Sequence, residues 1–248
     1  MKIYRLGNSM ELAVTAAGHA AAHLRITLAT QSHARIVMAT GESQLAFLAT
    51  LATLPAIDWS RVTLFHLDEY VGLPAGHPAS FRRYVKERFA DLVHPGRIVL
   101  IDGEADPQEE CRRVGDLIAE EPLDLAFVGI GENGHLAFND PPADFGTRDP
   151  YIVVSLDQAC RTQQVHEGWF SQPSEVPALA ISLSISQLMS ARRIFCMVPG
   201  RRKAAAVRAC LEEDVSPLRP ASILRHHPNA SLYLDQESSA LLSCGTHV

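Results

Sequence analysis

Short apolar runs alternate with longer segments in which apolar residues recur at helical spacing. The runs predict buried strands over residues 35–39, 61–67, 97–101, 125–128, 151–156, 179–183, 193–198 and 232–234. Helices are predicted over 9–28, 44–54, 80–92, 106–120, 200–211 and 238–242, with a further helix starting at 157. This alternation, without repeats or low-complexity linkers, predicts one α/β domain over residues 1–248. The domain is expected to be doubly wound, three-layered and Rossmann-like, with a mostly parallel sheet.

The strand 125–128 runs into a glycine-punctuated loop that carries His135 and Asp140. Ligands of such sheets bind just beyond the carboxyl ends of the strands, which makes this loop the first candidate site. The loop also contains the pattern G-x-G-x-x-G, formed by Gly129, Gly131 and Gly134, which is typical of a dinucleotide site. That pattern requires a long helix after the last glycine, and the prolines at 141–142 exclude one. We interpret the glycines as allowing a small ligand to approach the backbone.

The turn after the strand 35–39 reads Thr40, Gly41, Glu42 and Ser43 and leads into an apolar helix. Amide groups in the first turn of a helix lack internal partners, so this arrangement suits an anion. An ordinary βα turn is equally compatible with the local sequence.

Asp68 and Glu69 end the apolar strand 61–67. Two carboxylates at this position are costly to desolvate unless they are paired or used in chemistry, so a structural and a catalytic role both stay open. The polar helix that starts at 157 follows a proline-rich loop, and we interpret residues 141–176 as a lid segment over the pocket.

Composition narrows the classes of partner. The 248 residues are 47% hydrophobic and carry a net charge of -6, and the sparse clustering of Lys and Arg argues against nucleic acid. No secretory leader and no run of eighteen apolar residues is apparent, so we expect a cytoplasmic protein without membrane contact. Five cysteines without C-x-x-C spacing predict buried thiols, and no histidine or cysteine cluster predicts a metal.

Two stretches together resemble a known family. Residues 67–74 read LDEYVGLP and residues 129–141 read GIGENGHLAFNDP. These closely resemble the signatures of the glucosamine-6-phosphate deaminase/isomerase family. Thr40-Gly41, residues 200–203 and residues 220–222 extend the similarity over most of the chain. Tyr70 and residues 136–139 favour this family over its sister, the 6-phosphogluconolactonases.

The resemblance implies that a cyclic amino sugar phosphate is opened, isomerised from aldose to ketose and deaminated without cofactor or metal. Asp68 matches the base that moves a proton between C2 and C1, and His135 matches the group that opens the ring. Asp140 would orient His135, with Asn133 beside it. The implied substrate-binding residues are Thr40, Gly41, Ser43, Glu69, Gly131, Gly134 and Lys203. The alternatives are a lactonase and a non-catalytic sugar-phosphate sensor.

Three departures from the family pattern bear on the substrate. Asn133 and Asp140 stand where Asp and Glu are usual, and Glu42 lies beside the expected phosphate site. The arginine that relatives carry after the lid strand has no clear counterpart. Glu42 is expected to face solvent, since a residue in a helix's opening turn can do so. The partner is expected to be a small sugar phosphate, and the oligomeric state, a homo-oligomer included, stays open.

Overall fold

The computed structural model describes residues 1–243. Its strands are β1 (Lys2–Arg5), β2 (Ala34–Met38), β3 (Val62–His66), β4 (Asp68–Tyr70), β5 (Arg97–Val99), β6 (Leu125–Val128), β7 (Tyr151–Ser155), β8 (Leu179–Leu183), β9 (Arg193–Val198) and β10 (Ala230–Leu234). Its α-helices are α1 (Ser9–Thr30), α2 (Leu45–Thr53), α3 (Phe81–Val85), α4 (Asp91–Val93), α5 (Pro107–Ala119), α6 (Gln158–His166), α7 (Ile185–Met189) and α8 (Ala204–Glu212).

Seven strands form one parallel sheet in the order β1-β10-β9-β6-β2-β3-β5. From β2 the chain builds outward through β3 and β5, and it then returns to place β6 on the other side of β2. The strand order therefore reverses between β2 and β6. In open α/β sheets the loops that follow the strands at such a reversal form the ligand crevice.

The apolar residues of the central strands alternate between two cores, which confirms the three-layer prediction. Ile36 and Met38 pack on one face with residues of α1 and α2, whereas Val37 packs on the other face with residues of α5, α7 and α8. The residues that cap two of the helices are of the types that favour the start of a helix. Asn8 caps α1, and Asp106 caps α5 with a proline in its first turn.

A second, antiparallel sheet pairs β4 with β8 and β8 with β7. It starts at Asp68, immediately after β3 ends. A third apolar cluster joins this sheet to α6 and includes Tyr70, Phe138, Cys160 and Phe170. The small sheet and α6 thus form one packed unit beside the carboxyl ends of the main strands.

Several predicted elements need correction. Residues 151–156 and 179–183 form strands but lie in the small sheet and not in the main one. The strand β1 was not predicted. The helix expected over 80–92 is interrupted by a π-helical turn at Lys86–Ala90, and the stretch 238–242 forms turns. The segment directly after Gly134 is not helical, since the next helix of the described residues, α6, begins at Gln158.

Four cysteines, Cys111, Cys160, Cys196 and Cys210, are buried free thiols as predicted, and Cys244 lies outside the described residues. Among the helices of residues 1–243, none combines the length and the apolar composition that a membrane crossing needs.

Candidate active site

A cavity lies where four neighbouring strands of the main sheet end. The loops after β2, β3, β6 and β9 converge there, and the seven predicted site residues that line the cavity are Thr40, Gly41, Ser43, Asp68, Gly131, His135 and Lys203. The parallel sheet thus brings together residues that are far apart in the sequence. This is the crevice that the reversal of strand order between β2 and β6 predicts.

His135 is held by the loop that follows β6. Its imidazole packs against Gly131, where an added Cβ would approach His135 Cε1 to 2.3 Å, so a larger residue at 131 would displace the ring. Nδ1 of His135 lies 3.2 Å from Oδ1 of Asp140. The approach is bent relative to the ring N–H, so this is a close electrostatic contact rather than a straight hydrogen bond. His135 therefore has one orientation, with Asp140 beside Nδ1.

Asp140 is the centre of a polar cluster beneath His135. Its Oδ1 accepts a hydrogen bond from Asn133 Nδ2 at 2.9 Å, and its Oδ2 accepts one from the Asp157 amide at 2.9 Å. Burial would raise the pKa of Asp140, but the contacts with His135 and these donors hold it below its ordinary value. Asp140 is therefore a carboxylate at neutral pH.

Asn133 joins two carboxylates. Besides Asp140, its Nδ2 donates to Asp157 Oδ2 at 3.1 Å, while its Oδ1 accepts from the His135 amide at 3.0 Å. Asp157 also caps α6, so the cluster ties α6 to the loop that follows β6. The family pattern often has a carboxylate at 133. In this chain Asp157 brings a carboxylate to the cluster, and Asn133 is the donor between the two.

Asn133→Asp is expected to lower the unfolding free energy by about 1–3 kcal/mol, because a buried donor is replaced by a third carboxylate. The double variant Asn133→Asp/Asp157→Asn should recover only part of this loss, since the amide introduced at 157 can donate to the carboxylate introduced at 133 and can still cap α6, but that carboxylate stays against Asp140. Thermal melts of wild type, both single variants and the double variant measure the coupling. An Asn133→Asp protein as stable as wild type would contradict this account.

Asp68 begins β4 and lines the cavity with His135. Among residues 1–243 none donates a hydrogen bond to its carboxylate. Burial, with a smaller contribution from the neighbouring Glu69 charge, raises the pKa of Asp68 to about 8. A carboxyl group with such a pKa can accept and return a proton near neutral pH.

Two predicted substrate-binding residues do not line the cavity. Glu69 is fully buried, and its carboxylate accepts hydrogen bonds from Ser80 Oγ at 2.9 Å and from the Arg82 amide at 2.8 Å, at the start of α3. It anchors that helix. Gly134 has a positive φ of 85°, and its carbonyl accepts a hydrogen bond from the Ala221 amide. It shapes the loop on the side away from the cavity.

Four further residues of the cavity lining were predicted to bind an anion, and we call them the anion cradle: Thr40, Gly41, Ser43 and Lys203. Thr40 Oγ1 is buried without a partner, and Gly41 has a φ of 110° that favours glycine. Burial lowers the pKa of Lys203, although Glu167 and Glu132 act in the opposite direction. Glu42 is 58% exposed, as expected, and contacts Arg202 at 3.2 Å. It does not line this cavity.

The sequence did not indicate that Glu167 reaches the cavity. It lines the cavity together with Gln163 and Gln164 of α6. Gln163 and Glu167 are four residues apart and lie on one face of the helix, where Gln163 Nε2 donates to Glu167 Oε1 at 2.7 Å. Gln164 accepts from the buried Tyr70 hydroxyl at 2.7 Å. The sequence showed that this segment is polar, but not which of its side chains face the cavity.

One group of side chains in residues 1–243 has the spacing of metal ligands. The ligand atoms of His135, Asp140 and Cys160 lie within 4.8 Å of one another. A thiol binds metal as its thiolate, and burial raises the pKa of Cys160 well above its ordinary value, with Asp140 adding to the effect. Asp140 is already engaged by Asn133 and the Asp157 amide. These residues therefore suit a hydrogen-bonded cluster better than a metal, and the predicted lack of one stays a prediction.

The fold and the cavity define an α/β protein with a polar cavity at the carboxyl ends of four neighbouring strands. The family described as glucosamine-6-phosphate isomerases/6-phosphogluconolactonase matches residues 7–233, and the chain belongs to this family. It is 35% identical over 215 residues to a glucosamine-6-phosphate deaminase of Bacillus cereus strain B4264, covering 86% of this chain and 80% of that protein. A deaminase of Bacillus thuringiensis strain Al Hakam is 36% identical over the same shares of both chains.

Solved structures agree with this assignment. A monomeric glucosamine-6-phosphate deaminase superposes with a TM-score of 0.89 at 31% identity, covering 97% of this chain and 100% of that one. The 6-phosphogluconolactonase of Thermotoga maritima superposes with a TM-score of 0.78 at 18% identity, covering 94% and 99%. The second likeness shows the shared fold alone.

Proposed function

We propose that this protein is a glucosamine-6-phosphate deaminase, which converts glucosamine 6-phosphate and water into fructose 6-phosphate and ammonium. The observation that carries the proposal is one cavity lined by a buried carboxyl group, Asp68, an oriented imidazole, His135, and the cation of Lys203. The named activity of the relatives supports the same substrate.

In this proposal His135 opens the sugar ring. Nδ1 lies against Asp140, which leaves Nε2 for the substrate. The imidazole takes the proton of the anomeric hydroxyl and gives one to the ring oxygen as the C1–O5 bond breaks. The Asp140 carboxylate stabilises the imidazolium that forms between these two transfers.

Asp68 then carries out the isomerisation. Its carboxylate removes the proton from C2 of the open-chain sugar, and the electron pair forms the C1–C2 double bond of an enolamine. The carbonyl oxygen O1 becomes a hydroxyl by taking a proton from the ammonium group on C2. Return of the proton to C1 leaves a carbon–nitrogen double bond at C2, and addition of water there releases ammonia. No electrons are lost overall, so no redox cofactor enters the balance. Burial favours the protonated carboxyl group that holds the proton between the two steps.

The direct test is ammonia release from glucosamine 6-phosphate, compared with galactosamine 6-phosphate and unphosphorylated glucosamine. The same protein is offered 6-phosphogluconolactone, and acid release is followed. Ammonia from glucosamine 6-phosphate without lactone hydrolysis is the expected result. Lactone hydrolysis without ammonia would replace the deaminase with the lactonase alternative, and neither product, with sugar phosphate still bound, would favour a sensor.

Lys203→Ala is expected to raise KM for glucosamine 6-phosphate by about 10- to 100-fold, because a charge-assisted hydrogen bond contributes about 1.5–3 kcal/mol. Since the phosphate is remote from the reacting carbons, kcat should change little. Lys86→Ala is the matched control, because Lys86 is exposed and does not line this cavity. If unphosphorylated glucosamine binds as tightly as its phosphate, and Lys203→Ala changes neither, the cradle does not hold a phosphate.

A further inference from the structure

A carboxylate from the lid segment fills the anion cradle. Glu167 follows α6, and its side chain is only 8% exposed. Its Oε1 lies 3.8 Å from Lys203 Nζ, and its Oε2 lies 3.5 Å from the point where a Cβ on Gly41 would be. Trp169 Nε1 donates to Oε2 at 3.3 Å. An anionic group of this chain therefore lies over Gly41 and beside Lys203, where the proposed function places the phosphate.

A phosphate and Glu167 cannot share this place. Both are anions that present oxygen acceptors, and two like charges about 4 Å apart repel strongly at the effective dielectric of a partly buried site. Both also require Lys203 as their cation. Arg202 is directed elsewhere, because it contacts Glu42 at 3.2 Å and Glu132 at 3.5 Å.

The cavity beside Glu167 is narrow. The cavity that holds Asp68 and His135 has a volume of about 60 Å³, which is far below the roughly 300 Å³ at which ligand pockets begin. A second cavity of about 510 Å³ lies next to it. Ser43, Glu167 and Lys203 line both cavities. Removing the Glu167 side chain from its place would join the two.

We propose that Glu167 makes this site specific for phosphorylated sugars by closing the cradle until a phosphate displaces its carboxylate. The inference rests on the proposed function and adds to it how the site selects phosphorylated over unphosphorylated sugars. A neutral sugar has no anion to compete for Lys203, so it leaves the Glu167–Lys203 contact and the narrow cavity unchanged. A phosphate dianion competes for the same cation and for the amides around Gly41, and its binding opens the cavity.

The chain around Glu167 is suited to this movement. Gly168 follows directly with a positive φ of 80°, in open space. Gln163, which donates to Glu167, also accepts from the Glu132 amide at 2.8 Å, so displacement of the carboxylate is transmitted to the loop before His135. Trp169 loses its acceptor when Glu167 leaves, and its fluorescence reports the event.

Glu167→Gln tests the proposal with inorganic phosphate as the probe. The neutral amide neither repels the phosphate nor holds Lys203 as an ion pair. Phosphate affinity measured by calorimetry should therefore rise at least about tenfold, and KM for glucosamine 6-phosphate should fall in parallel. Glu175→Gln is the matched control, because this lid acid bonds Ser171 and Gln172 and does not line the cradle cavity. Unchanged or weaker phosphate binding by Glu167→Gln would overturn the proposal.

A second measurement leaves Glu167 in place. In a Trp59→Phe protein, Trp169 is the remaining tryptophan of the two in the sequence, and phosphate should change its fluorescence, whereas unphosphorylated glucosamine should not. A silent Trp169 at saturating phosphate would contradict the displacement. These binding experiments do not depend on turnover. Tighter phosphate binding without ammonia release would refute the deaminase alone, and ammonia release without these binding changes would refute the displacement alone.

Discussion

Asp68→Asn is expected to lower kcat/KM for glucosamine 6-phosphate by about 10²–10⁴-fold, because the variant lacks the group that moves a proton between C2 and C1. The wild-type rate should rise with pH until the carboxyl group is ionised, which occurs around its raised pKa of about 8 in the free protein. The residual activity of the variant should not show this rise with pH. Steady-state ammonia release over a range of pH measures both effects.

The stability of the same variant provides an internal control. The folded protein holds the Asp68 proton more tightly than the unfolded chain does, so the stability that this proton contributes is present below the ordinary pKa of 3.8 and is lost as pH rises to about 8. Asparagine does not titrate. Asp68→Asn should therefore melt above wild type at pH 8 and match it near pH 4. Asp116→Asn, an exposed acid on α5, should change neither activity nor melting.

An Asp68→Asn protein that melts normally and keeps wild-type turnover would remove Asp68 from the mechanism. Loss of activity together with a lower melting temperature at pH 8 would contradict the linkage argument instead. It would show that Asp68 stabilises the fold. The two measurements thus separate a catalytic carboxylate from a structural one.

The main sheet was predictable because its signals are local. Apolar runs such as 125–128 are bounded by turn residues, and each parallel strand needs a crossover helix that the sequence also shows. The small sheet was not predictable in this way. Residues 151–156 read as a strand, but their antiparallel pairing with β8, and that of β8 with Asp68–Tyr70, depends on contacts between distant segments. Length and periodicity do not specify a partner.

The site residues were likewise predictable where the signal is local and not where it depends on contacts between distant segments. Residue types at strand ends indicated Asp68 and His135, because the carboxyl ends of parallel strands meet. Glu69 has the same location and character in the sequence, yet it anchors α3. Whether a buried carboxylate is paired or left for chemistry depends on what folds against it. Glu167 was missed for a related reason, since the sequence does not show that an acid just after α6 packs against Gly41.

His135→Gln is expected to slow the reaction of the cyclic substrate by about 10²–10⁴-fold, because glutamine cannot take a proton from one oxygen and give it to another. An open-chain analogue does not require ring opening, so its isomerisation should lose much less. Glutamine also keeps a neutral polar side chain beside Gly131 and Asp140, which limits the structural change. Turnover of both substrates by wild type, His135→Gln and the exposed-site control His226→Gln measures the difference. Equal losses on the two substrates would mean that His135 acts after the ring has opened, and the assignment of ring opening would then have to move to another residue of the cavity.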